Sequence, residues 1–205
     1  MRALSRSLKW LVLAFALAGV MPAGAQMVSG PALMNALSRG GYVLVMRHAS
    51  SPAMPPAKEA ADPGNVKFER QLDQTGKDTA RAMGEAIKTL HIPLGEVLAS
   101  PAFRVEQTVK LAALGNPKIA PELGEGAAGM QGDTEAARAT WLKAKVTEAP
   151  RAGTNMVLVT HTGNITGAFA VNAAEGEVLV FHPDGRGGAQ LVARLKIEDW
   201  PALAK

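Results

Sequence analysis

Four residues in this chain could together hold and attack a phosphoryl group: Arg47, His48, Arg104 and His161. Arginine offers a planar fork of donors that matches the oxygens of a phosphate. A neutral imidazole is a competent nucleophile toward phosphorus, and a covalent phosphohistidine splits one hard displacement into two easier ones. Phosphoryl transfer asks mainly for positioning and for positive charge around the equatorial oxygens. Two arginines and two histidines make such a cradle, and a nearby carboxylic acid would protonate the leaving oxygen. Each piece alone has a bland alternative. Arg104 could be a solvated helix charge, and His161 a hydrogen-bonded core histidine. Only their convergence would make a site.

Convergence depends on the elements that carry them. Tyr42 to Met46 (YVLVM) is a continuous apolar run that ends at Arg47-His48, and Met156 to Thr160 (MVLVT) is another that ends at His161. Continuous rather than alternating apolar runs mark strands buried on both faces. Glu96 to Ala99 is a third short strand. Ser100-Pro101 after it reads as an N-cap and first helical residue, so the helix through about Leu114 would carry Arg104 in its first turn. There the amides and the macrodipole favour an anion. A helix is expected from Pro31 to Ser38, another from Thr75 to Leu90 with Thr75 and Asp78 at capping-box spacing, and a third from Asp133 to about Val146. A further helix opens at Gly163 and Asn164. Glu177 to Phe181 and Gln190 to Leu195 read as a hairpin. Alternating strands and helices predict an α/β fold, with ligands outside the carboxyl ends of the strands. Residues 49–67 hold four prolines and read as a long loop, a length that is often functional.

Composition bounds the rest. The first 25 residues have three basic side chains and no acid, then the 12-residue apolar run Trp10–Met21, then Ala23-Gly24-Ala25. This reads as a cleaved secretory signal peptide (1–25) ahead of one 180-residue domain (26–205), periplasmic or secreted. Twelve apolar residues are too few to span a bilayer, so no stable membrane anchor is expected after cleavage. Losing three basic residues takes the formal net charge from +4 to about +1, which removes the case for a nucleic-acid partner. The chain has no cysteine, which excludes disulfides, thiolate metal sites and a cysteine nucleophile. No G-x-S-x-G elbow and no phosphate-binding P-loop is present. His91 and His182 read as surface groups, and Met34, Met46, Met83 and Met156 as core packing.

Three segments then carry a family resemblance. VLVMRHASSP (43–52) resembles the strand-plus-Arg-His motif of the histidine phosphatase superfamily, the phosphoglycerate mutase-like group, with Ala49 where that family usually has glycine. LASPAFRVEQTVKLA (98–112) resembles its Ser-Pro-x-x-Arg-x-x-x-Thr helix, and LVTHTGNI (158–165) its second-histidine motif. The segments stand in the family's order, and similarity runs over nearly all of 30–200. The resemblance implies a three-layer α/β/α sandwich with a mostly parallel central sheet. It implies a phosphoric monoester hydrolase, with His48 the phosphoryl acceptor and Arg47, Arg104 and His161 holding the oxygens. Arg70 would add a phosphate contact and Asn164 would orient the second histidine's loop. No metal, cofactor or protein partner is implied, only a small phosphorylated substrate. The proton donor matches no family pattern cleanly. Glu125, in a Gly-rich loop, is the first choice, with Glu122, Asp133 and Glu177 behind it. The alternative is a non-catalytic protein of the same fold that binds a phosphoryl ligand.

Overall fold

The computed structural model describes residues 27–125 and 134–205. The segment 1–25, expected to be a signal peptide, and Asp133 lie outside them. Twelve regular elements follow one another: α1 (Gly30–Leu37), β1 (Val43–Arg47), α2 (Gln74–Thr89), β2 (Leu94–Ala99), α3 (Phe103–Leu111), β3 (Lys118–Ile119), α4 (Glu135–Lys145), β4 (Asn155–Thr160), α5 (Thr162–Phe169), β5 (Val178–Pro183), β6 (Ala189–Leu195) and α6 (Trp200–Leu203). The six strands form one sheet in the order β3-β2-β4-β1-β5-β6. The first four are mutually parallel, and the β5–β6 hairpin adds an antiparallel edge.

The apolar runs behave as buried-strand patterning requires. Successive side chains point to opposite faces, so an unbroken apolar run feeds two cores at once. Leu44, Met46, Val157 and Val159 pack with Leu33, Leu37, Met83, Val105 and Trp200 under α1, α2, α3 and α6. Val43, Val45, Leu158 and Leu179 pack with Leu142 and Ile165 under α4 and α5. The result is the expected α/β/α sandwich. Burying each of these side chains contributes roughly 1.5–3 kcal/mol. The four methionines read as packing are all buried.

Three helix starts differ from the sequence reading. Asp73, not Thr75, caps α2: its side chain accepts from the Gly76 amide at 2.7 Å. Asp78 instead pairs with Gln74 and Arg81 on the exposed face. The α3 helix begins at Phe103 after an extended Ala102, two residues beyond the Ser-Pro signal. The fourth helix is capped by Thr134, whose hydroxyl accepts from the Ala137 amide. At α2 and α4 the cap is a side-chain oxygen over a free amide, whereas α3 follows Ala102 with no side-chain cap. The mouth loop 49–73 is not structureless. It contains a 3-10 turn at Lys58–Ala60 and a clamp in which Asn65 bonds both the amide and the carbonyl of Glu69.

Candidate active site

Parallel pairing sets the floor of the site. Arg47 pairs with Thr160 across β1 and β4, so the next residues, His48 and His161, emerge side by side. The His48 amide bonds Thr160 O at 3.1 Å. Their ring centroids are 5.4 Å apart, edge to face. The third strand adds Ser100 on the far side, because Ala99 pairs with Val159 and the Ser100 amide bonds Val159 O. Arg104 enters from the second residue of α3. Its Nε donates to His48 Nε2 at 3.2 Å, and its Nη2 lies 3.0 Å from His161 Nδ1. His48, Arg104 and His161 are all buried.

The His48 ring is held in one tautomer. Its Nδ1 donates to Ala49 O at 2.8 Å, which fixes the proton there and leaves the Nε2 lone pair facing Arg104 and the pocket. Burial, aided by the Arg104, Arg47 and Arg70 charges and opposed by the Ala49 bond, lowers its pKa to about 4. Burial and the Arg104 charge lower that of His161 to about 2. Both rings are therefore neutral at ordinary pH, the state a nucleophile requires. Glu125 closes the group. Its carboxylate forms an ion pair with Arg104 through Oε1 and places Oε2 3.4 Å from His161 Nδ1. An anion with one oxygen on each of these donors is the arrangement a phosphoryl group would adopt.

The structure thus brings His48, Arg104, His161 and Glu125 together. The other expected residues stand in a second tier. Arg47 turns its guanidinium to Ala173 O at 3.0 Å and Glu175 at 3.3 Å, in the loop before β5. It reaches the histidines through its charge and not by a hydrogen bond. Arg70 donates to Pro52 O at 2.7 Å and to Ser51 O at 3.2 Å, clasping the two arms of the mouth loop. Asn164 is buried, and its amide donates to Leu123 O, Gly124 O and Thr160 Oγ1. It anchors the segment that carries Glu125 and has no donor left for a ligand. Glu177 is removed from the proton-donor question: Arg194 and the Ala174 amide occupy its oxygens. Glu122 is half-buried in the 3-10 turn before Gly124. His91 and His182 are exposed.

Thr108, Glu69 and Glu175 carry no role in the sequence reading, and Ser100 only that of a helix cap. Thr108 donates to Arg104 O at 2.8 Å and accepts from the Ala49 amide at 3.1 Å, tying α3 to the loop that orients His48. Its position four residues after Arg104 was the available signal. Glu69 accepts from the Phe103 amide at 3.0 Å, so the start of α3 is served by a carboxylate of the chain itself. That corrects the expectation of an anion-binding helix start at Arg104: what Arg104 contributes is its guanidinium. Ser100 bonds His161 and Glu175 bonds Arg47, and no spacing pattern advertised either pairing.

This arrangement is similar in fold to solved histidine phosphatases of the phosphoglycerate mutase-like type. The protein histidine phosphatase SixA, crystallised with tungstate, superposes with a TM-score of 0.55 at 19% identity, covering 77% of this chain and 98% of its own. A mycobacterial glucosyl-3-phosphoglycerate phosphatase, bound to inorganic phosphate, gives 0.52 at 15% identity, covering 78% and 99%. A phosphoserine phosphatase variant from Entamoeba histolytica gives 0.50 at 12% identity, covering 77% and 98%. No protein-family description and no curated protein sequence matches the chain.

Proposed function

We propose that the protein is an exported phosphatase that hydrolyses phosphomonoesters through a phosphohistidine on His48. The observation that carries this reading is the His48 ring itself: neutral, with its proton held on Nδ1 by Ala49 O and its Nε2 turned to the buried Arg104. Nε2 attacks phosphorus as the ester oxygen leaves. Arg104 and His161 stabilise the charge gathering on the equatorial oxygens. Water then attacks the phosphohistidine from the vacated side and regenerates the imidazole. Glu125 is the group best placed to serve the leaving oxygen. Substrate would take Arg104 from it, and a carboxyl set beside a phosphoryl dianion is suited to carrying a proton. The neighbours' phosphatase names agree with this reading, and export follows from the basic, apolar, small-residue order of residues 1–25.

The test is turnover of p-nitrophenyl phosphate by the protein with chelator present, followed by acid-labile radiolabel on His48 after rapid quenching with a labelled ester. Turnover with label is expected. Orthovanadate that raises the melting temperature of a protein unable to turn over any ester would instead favour the phosphoryl-binding alternative.

A further inference from the structure

His161 has one contact that the proposed chemistry does not use. Its Nε2 lies 2.8 Å from Ser100 Oγ, and both residues are wholly buried at 0% exposure, so water does not serve this nitrogen. A neutral imidazole carries one proton, and the two nitrogens take different roles according to where it sits. At Nδ1 the ring meets Arg104 Nη2 at 3.0 Å and Glu125 Oε2 at 3.4 Å. Arginine is only a donor, so its contact favours a bare Nδ1. The carboxylate is only an acceptor, so its contact favours a protonated Nδ1. The partner at Nε2 decides between them.

Ser100 brings one proton and two lone pairs. One lone pair takes the Ala102 amide at 3.3 Å. Were the His161 proton on Nε2, it would donate to Ser100 Oγ, and the hydroxyl proton would find no acceptor among the described residues. A buried donor would be left unmet, which is costly. With the proton on Nδ1, the hydroxyl donates to Nε2, and the Nδ1–H faces Glu125 Oε2 at 3.4 Å. The Nδ1–H and the Arg104 Nη2–H then converge on the two oxygens of one anion. Glu125 supplies that anion in the absence of ligand.

We propose that Ser100 is a positioning residue that holds His161 as the Nδ1–H tautomer, so that a neutral ring donates to a phosphoryl oxygen instead of accepting from Arg104. The proposal deepens the phosphatase reading and rests on it for its effect on turnover. The hydroxyl moves no net proton. It fixes which nitrogen of His161 keeps one, at the oxygen where negative charge grows during transfer.

The experiment is nitrogen NMR of the full chain with labelled histidines and saturating inorganic phosphate at pH 7, with the His161 signals assigned by their loss in His161→Gln. The expected spectrum shows a protonated Nδ1 and a bare Nε2. Ser100→Ala should shift free His161 toward the Nε2–H form and weaken phosphate binding and kcat/KM about tenfold, the scale of one lost hydrogen bond. Ser100→Thr, which keeps the hydroxyl, should restore the spectrum. A phosphate-bound wild type with its proton on Nε2 overturns the proposal, whether or not Ser100→Ala folds. So does a Ser100→Ala protein with wild-type tautomer and turnover. Phosphate binding with the expected tautomer but no turnover of any ester would fail the phosphatase reading alone.

Discussion

The floor of the site and its rim are built by different means. His48, His161 and Ser100 follow directly from three adjacent parallel strands, and backbone register sets them side by side, with Ser100 hydrogen-bonded to His161. Arg47, Arg70 and Glu125 reach the same region through loop contacts: Arg47 by Ala173 and Glu175, Arg70 by Ser51 and Pro52, Glu125 by the segment that Asn164 pins. Floor groups are buried and neutral or tightly held. Rim groups are part-exposed and charged, with the Glu125 side chain 48% exposed. A sheet fixes position at the cost of freedom, while loops leave charge free to move with a ligand. Groups that need fixed geometry thus sit in the floor, and groups whose charge can shift with a ligand sit on the rim.

The sharpest break of that comparison is at the proposed nucleophile. His48→Ala should lose at least about a thousandfold in kcat, since nothing else in the floor can form the covalent intermediate, and should keep the fold. Measured turnover within about tenfold of wild type would remove His48 from the chemistry. The arginines come next. Arg104→Lys should cost about a hundredfold in kcat/KM, because lysine cannot serve His48 and a phosphoryl oxygen with one fork. Arg70→Lys should cost tenfold or less, its charge acting from a solvated distance. Equal losses in steady-state assays would collapse the distinction between floor and rim. A smaller effect tests how the floor is supported. Gly76, in the first turn of α2, lies so close to Ser50 that a Cβ would overlap the Ser50 carbonyl oxygen and amide. Gly76→Ala should displace the segment after His48, lowering stability by about 1–3 kcal/mol and turnover with it. An unchanged denaturation midpoint and rate would show that the loop yields freely.

The same division explains what was legible in the chain. Apolar runs ending in Arg47-His48 and in His161 announce both strands and their shared edge, since side-chain period and burial are local properties of sequence. Arg104 was legible because the Ser-Pro signal puts it in the first turn of a helix that opens at that edge. The rim was not. The cap of α2 moved to Asp73 and the start of α3 moved to Phe103, because caps are chosen by which oxygen tertiary structure brings to an amide. Glu177 stood behind Glu125 as a donor, and only the structure shows that Arg194, from β6, occupies it. Pairings such as Glu175 with Arg47 or Asn164 with Gly124 join residues that no periodicity relates.

The gentlest test reads the floor through its protons. His48 and His161 have folded pKa values of about 4 and about 2, against 6.5 for the free side chain. Between these values the unfolded chain binds protons that the folded chain refuses. Stability from this source is therefore whole above pH 6.5 and drains away as the pH falls toward 4, with His161 continuing to contribute below that. Each such histidine adds about 1 kcal/mol per pH unit to the slope of unfolding free energy against pH. Denaturation of His48→Ala in phosphate-free buffer between pH 4.5 and 6 should show a slope smaller than wild type by about that amount. Arg70→Ala should leave the slope nearly as it was, since its guanidinium bonds backbone at the rim and only adds distant charge. Phosphate added to wild type should stabilise it without removing this dependence, because the anion binds the ring-neutral floor. A His48→Ala slope equal to that of wild type would mean that the buried ring takes up its proton as readily folded as unfolded, and the floor would not hold it neutral below pH 6.5.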